Sequence, residues 1–200
     1  RDLEYRLLNG SLSEAEEDDA ANLLKLGVTE DYRVVTCYLK TENYNDNFTV
    51  FQRKKMEVIE KAILDFVPRE YIYCNTNQII YIHKENGKEG KLDLRKKLKE
   101  FQIMIQDQLK EEKTKYEFLI GVGNKVKSYH NLKESFADSK IAIEYIDVIR
   151  KIVGDTNKTV VDCSRLGFFH IFANIKDEKQ LRTYIPDTVH EIHQYDIQKN

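Results

Sequence analysis

Apolar and polar positions along the chain follow two periods, and the switches between them mark out its elements. Asp2 to Leu8 predicts a short helix ended by Gly10, and Ser13-Glu14-Ala15-Glu16 has the spacing of a capping box opening a second helix to about Leu26, with Gly27 as its stop. Tyr32 to Leu39 is rich in β-branched and aromatic residues without helical spacing, which predicts a buried strand. After a polar loop over Thr41 to Asn47, Met56, Ile59, Ile63 and Phe66 fall on one face of a crossover helix from Phe51 to Phe66, with Pro68 just past its end. Two short strands follow, Tyr71 to Tyr73 and Gln78 to His83. The Cys74-Asn75-Thr76-Asn77 between them suits a tight turn, because Asn tolerates turn dihedrals, and the pair reads as an antiparallel hairpin.

Beyond the turn-like Asn86 to Gly90, a long helix is expected from about Leu92 to Glu112. Leu94, Leu98, Phe101, Ile105 and Leu109 form its apolar stripe, and charge covers the other face. Phe118 to Val122 predicts another buried strand. Leu132 to Ile149 predicts a helix with a broad apolar face of Phe136, Ala142, Ile143, Tyr145, Ile146 and Ile149, broken at Gly154. Thr159 to Val161 reads as a last edge strand. Arg165 to Asn174 and Lys179 to Gln194 read as two more helices, with Pro186 interrupting the second or starting a separate one. This order predicts an α/β (α+β) fold, a mixed sheet of about five strands with a central antiparallel hairpin, flanked by helices and extended by helices at both ends.

Composition narrows the function classes. The 41% hydrophobic content of these 200 residues can bury the core of one domain or somewhat more. The 32 basic and 34 acidic residues leave a formal net charge of -2, so no overall positive field draws phosphates and nucleic-acid binding by this chain alone is disfavoured. Cys37, Cys74 and Cys163 lack paired spacing and read as reduced thiols of a cytoplasmic protein. No apolar run approaches the roughly 20 residues of a membrane span, and the opening Arg1-Asp2-Leu3-Glu4 is not a signal peptide. The missing initiator methionine suggests a piece excised from a longer protein. No internal repeat or low-complexity segment is present.

Candidate chemistry is sparse. Gly121-Val122-Gly123 after a strand has the outline of a phosphate-binding turn, yet it lacks a third glycine and a Lys-Ser or Lys-Thr pair, so a tight strand exit is the simpler reading. His190 and His193 stand three apart with Glu191 beside them, but no third metal ligand accompanies them and a solvated helix face explains them. The basic run Arg95-Lys96-Lys97-Leu98-Lys99 is diluted by Glu100, Glu111 and Glu112. Glu14, Glu16, Glu17, Asp18 and Asp19 lie early in a helix, where the macrodipole alone favours acidic residues. Cys163 and His170, seven apart, have the types of a thiol and its base but no orienting third group. No catalytic residue, metal ligand or cofactor site is assigned.

One resemblance ties these pieces together. Phe118-Leu119-Ile120-Gly121-Val122-Gly123, then Leu132-Lys133-Glu134-Ser135-Phe136-Ala137 with Ala142 further along, resembles the GGDEF-like central domain of transcription regulators of the PucR or CdaR type. Those proteins show a Gly-x-Gly strand end followed by a Leu-x-x-Ser-aromatic helix. Val160-Val161-Asp162, Leu166-Gly167-Phe168-Phe169 and Gln194-Tyr195-Asp196 look like the family's connector toward a helix-turn-helix domain, and Leu7-Leu8-Asn9-Gly10 and Leu24 to Leu26 fit its leading helices. Active diguanylate cyclases of the parent fold carry a Gly-Gly-Asp/Glu-Glu-Phe signature in the central hairpin, where this chain has Cys74-Asn75-Thr76-Asn77-Gln78. Neutral amides cannot replace carboxylates that hold divalent metals, and Leu39-Lys40-Thr41 ends the first strand without an acidic ligand.

The resemblance therefore implies leading helices over 1–28, a degenerate GGDEF-like α/β regulatory domain over 29–163, and a helical connector over 164–200 toward a helix-turn-helix domain absent from this chain. It implies a non-catalytic, cytoplasmic relay that forms a homodimer, reaches DNA only through that absent domain, responds to a small-molecule effector and does not enter a membrane. If a ligand pocket exists, the expected places are the hairpin turn at Asn75 and Asn77 and the strand exit at Gly121 and Gly123. The alternative is a degenerate cyclase domain that retains nucleotide binding as an allosteric input. An active metal-dependent nucleotidyl enzyme would need carboxylates near Asn75 and is the weakest reading.

Overall fold

A computed structural model of the chain describes residues 2–41, 50–65, 67, 71–85, 91–109 and 116–167. Two leading helices, α1 (Asp2–Asn9) and α2 (Glu14–Leu23), precede strand β1 (Asp31–Thr41) and helix α3 (Val50–Ile63). The hairpin β2 (Ile72–Cys74) and β3 (Gln78–Glu85) leads to helix α4 (Lys91–Leu109), strand β4 (Tyr116–Val122) and a two-residue strand, β5 (Val126–Lys127). Helices α5 (Leu132–Glu144) and α6 (Ile146–Val153) and strand β6 (Val160–Asp162) follow, with short 3-10 turns at Tyr129–Asn131 and Cys163–Arg165.

Local chemistry accounts for most of these boundaries. The capping box forms, with the Ser13 N–H donating to Glu16 Oε2 at 2.9 Å. The second helix stops earlier than expected: Lys25, not Gly27, takes the left-handed position with φ 54°, and the Leu26 N–H reaches back to the Ala21 carbonyl at 2.9 Å in a Schellman closure. The single helix expected over Leu132 to Ile149 is two, α5 and α6, meeting at Tyr145. Gly154, with φ 70°, ends α6 as its position suggested. β5 was not anticipated, because two polar-flanked residues carry no alternation to read.

The sheet runs β2-β3-β1-β4-β6, with β5 also paired to β1. β1 is central and antiparallel to β3 and β4, through pairs such as Cys37 with Ile79 and Cys37 with Ile120; β6 joins β4 in parallel. The succession β1-α3-β2-β3-α4-β4 is thus two interleaved split βαβ units. The mixed α/β sheet is as the pattern predicted, with six strands, β5 included, among the described residues.

Because strand side chains alternate, β1 sends Val35, Cys37 and Leu39 to one face and Tyr32, Val34 and Thr36 to the other. The first set packs with Met56, Ile59 and Ile63 of α3 and Leu94, Leu98, Phe101, Ile105 and Leu109 of α4. On the second face Tyr32, Val34, Ile80 and Ile82 meet Leu7 and Leu8 of α1, Ala20 and Ala21 of α2, and Leu132 and Phe136 of α5. The leading helices are therefore part of the sheet's second core. Arg1–Arg165 form one compact unit and Leu166–Asn200 a second, of which 166–167 alone are described. Of the helix expected over Arg165 to Asn174 only Arg165 to Gly167 are described, the end of a 3-10 turn and a glycine at φ 50°; the rest of it, the helix expected over Lys179 to Gln194, the turn at Asn86 to Gly90 and most of the loop from Thr41 to Asn47 lie outside the described residues.

Candidate functional site

The hairpin turn is built by backbone closure and one amide. The Asn75 N–H donates to the Gln78 carbonyl at 2.8 Å, and Asn75 Oδ1 accepts from the Thr76 N–H at 2.6 Å and from Thr76 Oγ1 at 3.2 Å. Asn75 is exposed and Asn77 half-buried, and the Asn77 carbonyl accepts from the Leu39 N–H at 3.0 Å, which seats the turn at the C-terminal end of β1. Neighbouring Lys40 is engaged with Asp147 of α6 at 3.2 Å. The turn presents uncharged side chains to solvent, and the Asn75 amide oxygen is already used within it.

Gly121 and Gly123 lie elsewhere. Gly121 pairs with Thr36, and the Gly123 N–H donates to the Val34 carbonyl at 2.9 Å, five residues along β1 from Leu39. At about 3.3 Å per residue this is about 17 Å along the strand. The two pairs also flank β1 on opposite sides, so the structure does not bring them together.

What fills the space over both glycines is α5. A Cβ on Gly121 would meet the Ser139 carbonyl oxygen at 2.1 Å, and one on Gly123 would meet the Ser135 carbonyl oxygen at 2.0 Å. The i, i+2 glycines of one strand face and the i, i+4 serines of one helix face thus form a seam of backbone contact. Its hydroxyls are all satisfied. Ser135 Oγ accepts from the Val34 N–H at 2.9 Å and donates to the Asn124 carbonyl at 2.7 Å, while Ser139 Oγ lies 2.7 Å from Thr36 Oγ1 and 2.8 Å from the Phe136 carbonyl. The glycines lie at the end of β4, where the tight strand exit was expected, and their missing Cβ atoms answer to the packing of α5.

Two clamped arginines were invisible to linear reading. Arg33 of β1 is buried, pairs with Glu85 and donates to the Gly123 carbonyl at 3.1 Å. Arg95 of α4 sends Nε and Nη2 to Asp162 Oδ2 at 2.9 and 2.6 Å, while Asp162 Oδ1 accepts the Ser164 N–H and hydroxyl at 2.9 and 2.6 Å. Burial works against the Asp162 carboxylate, but these donors hold it below its usual range. The first residue of the basic run is thus spent on an internal ion pair, leaving Lys96, Lys97 and Lys99 exposed. A third, Arg150 of α6, bridges Glu117 of β4, Asp147 and the Lys158 carbonyl.

The acidic start of α2 is also engaged. Asp18 accepts from the Tyr129 hydroxyl at 2.6 Å, Glu17 stands 3.3 Å from His130 Nδ1, and Glu16 meets Arg6 at 3.4 Å. The Asp18 hydrogen bond and burial push the Tyr129 phenol up to about 12. Cys163 is buried, its thiol pushed up to about 12 by burial and then by Asp138, so it is protonated at neutral pH and does not act as a thiolate. His170, His190 and His193 fall outside the described residues. Among the described residues no group of three or more His, Cys, Asp or Glu is placed to hold a metal ion, and no helix is long and apolar enough to cross a membrane.

Fold and site together define a class: a layered α/β domain on two split βαβ units, with an uncharged hairpin turn at the end of its central strand and a helix locked against a glycine-lined strand. No protein-family model matches the chain, and no curated protein matches it significantly in sequence.

Proposed function

We propose that this chain is a non-catalytic regulatory domain of the PucR or CdaR type, which self-associates and relays a signal to a DNA-binding domain outside it. The observation that carries the reading is the hairpin turn. In a domain of this topology the Asn75-Thr76-Asn77 turn, with its amide turned inward on Thr76, stands where a cyclase would present glycines and carboxylates. The leading helices and α5 share one core with β1, so a displacement of α1 and α2 is felt directly by the sheet. Leu23 and Val28, both exposed near the end of α2, supply apolar surface for a two-fold contact.

The test has three readouts on the same protein. Incubation with GTP and magnesium leaves the nucleotide unconverted; release of pyrophosphate overturns the non-catalytic assignment. Light scattering across a concentration series gives a dimer, and a monomer at the highest concentration overturns self-association. Thermal-shift screening against sugar diacids and purine-breakdown metabolites raises the melting temperature with one class, since a ligand of the folded state must stabilise it. A shift with guanine nucleotides instead transfers the domain to the nucleotide-sensing alternative.

A further inference from the structure

Strand β4 has two hydrogen-bonding edges, and they are covered differently. β1 pairs along the whole of Tyr116 to Val122, whereas β6 pairs with the other edge only from Ile120 to Val122. Over the first half of β4 that outer edge is taken by side chains of α4. Gln106 Nε2 donates to the Tyr116 carbonyl at 2.9 Å while Gln106 Oε1 accepts from the Phe118 N–H at 2.9 Å, and Gln102 Nε2 donates to the Phe118 carbonyl at 3.1 Å. The next group in the row, the Ile120 N–H, donates to the Thr159 carbonyl at 2.8 Å. The row is complete from the Tyr116 carbonyl to the Ile120 N–H. A primary amide offers N–H and C=O in one plane, as a peptide group of a neighbouring strand does. Gln102 and Gln106, one helical turn apart beside the apolar stripe of α4, act as a surrogate strand.

We propose that the outer edge of β4 is a latent strand-pairing surface for a second copy of this chain, held closed by Gln102 and Gln106. The occupant follows from symmetry. A second copy brings the same row of donors and acceptors, and two such rows placed antiparallel satisfy one another about a two-fold axis. The segment Tyr116-Glu117-Phe118-Leu119-Ile120 is aromatic and β-prone and contains no proline, the composition that makes an open edge sticky. Association through the helical surfaces would belong to the native chain. Pairing through β4 is what the native chain avoids, so the two are read from different molecules.

The deciding variant is Gln106→Met, which keeps the side-chain length and removes both hydrogen-bonding groups. The Phe118 amide is expected to exchange at least about ten-fold faster, the effect of losing one buried hydrogen bond. Light scattering is expected to show association beyond that of the unsubstituted protein at equal concentration. Unchanged Phe118 exchange or unchanged mass overturns the proposal. If Gln106→Met does not fold, Gln106→Glu decides. Its carboxylate still accepts from Phe118 but has no proton for the Tyr116 carbonyl at pH 7, and regains one near pH 4. Extra association at pH 7 that disappears near pH 4, relative to the unsubstituted protein at each pH, upholds the closure; none at pH 7 overturns it.

Discussion

Gly121 and Gly123 show what a single missing Cβ does here. Both face backbone oxygens of α5 rather than flexible side-chain ends, so an added methyl forces the helix off the strand. Gly121→Ala is expected to cost about 3 kcal/mol in urea unfolding, within the overpacking range. Gly154→Ala, where nothing lies within 4 Å but φ is 70°, should cost about 1 kcal/mol from backbone strain alone. Asp162, the most buried of the carboxylates held below their usual range, is one through which acid acts. A carboxylate whose folded pKa lies below its unfolded value contributes stability that is complete above the unfolded value, near 4, and lost as pH falls through the folded one. Asp162→Asn leaves Arg95 without its counter-charge, so the variant should be about 2 kcal/mol less stable at pH 7, with the gap closing below about pH 4. Denaturant titrations from pH 3 to 7 measure both. The Gly-x-Gly pattern was legible as a backbone feature; that Ser135 and Ser139 fill its space was not, because a serine four residues from another reads as surface until its neighbour is known.

At the scale of elements, helix α5 is held to β1 and β4 by polar atoms as well as by apolar ones. The Val34 N–H, buried at the centre of the sheet's second face, has the Ser135 hydroxyl as its acceptor. Ser135→Ala removes that acceptor and the donor to the Asn124 carbonyl, an expected loss of about 2 kcal/mol, with faster amide exchange at Val34 as the specific sign. An unchanged Val34 exchange rate would mean that water replaces the hydroxyl. The break between α5 and α6 belongs to the same scale. The apolar face reads continuously through Tyr145, but Arg150 ties α6 to Glu117 and the Lys158 carbonyl, anchoring it over the start of β4. Periodicity reports which residues turn inward and is blind to where a helix bends.

For the whole molecule, the decisive feature is that α1 and α2 complete a core with β1, β3 and α5. Leu7, Leu8, Ala20, Ala21 and Leu24 are all buried. A chain lacking residues 1–28 leaves Tyr32, Val34, Ile80 and Ile82 partly uncovered and is expected to lose cooperative thermal unfolding, measured by calorimetry against the full chain; a sharp transition at the same temperature would show the leading helices to be separable. What the sequence by itself determined is most of the elements and their order, the α/β class and the apolar stripes of α3 and α4; the short β5 and the break between α5 and α6 were not among them. What it determined depends on local periodicity and on turn and cap residues, all read within a few positions of one another. Only the tertiary structure decided which glycine meets which helix, which arginine meets which carboxylate, and how α4 supplies an edge for β4. Arg33 and Glu85, Arg95 and Asp162, and Val34 and Ser135 are separated by 52, 67 and 101 residues along the chain. No local pattern encodes such pairs, because their energy arises only when burial removes water from both partners at once.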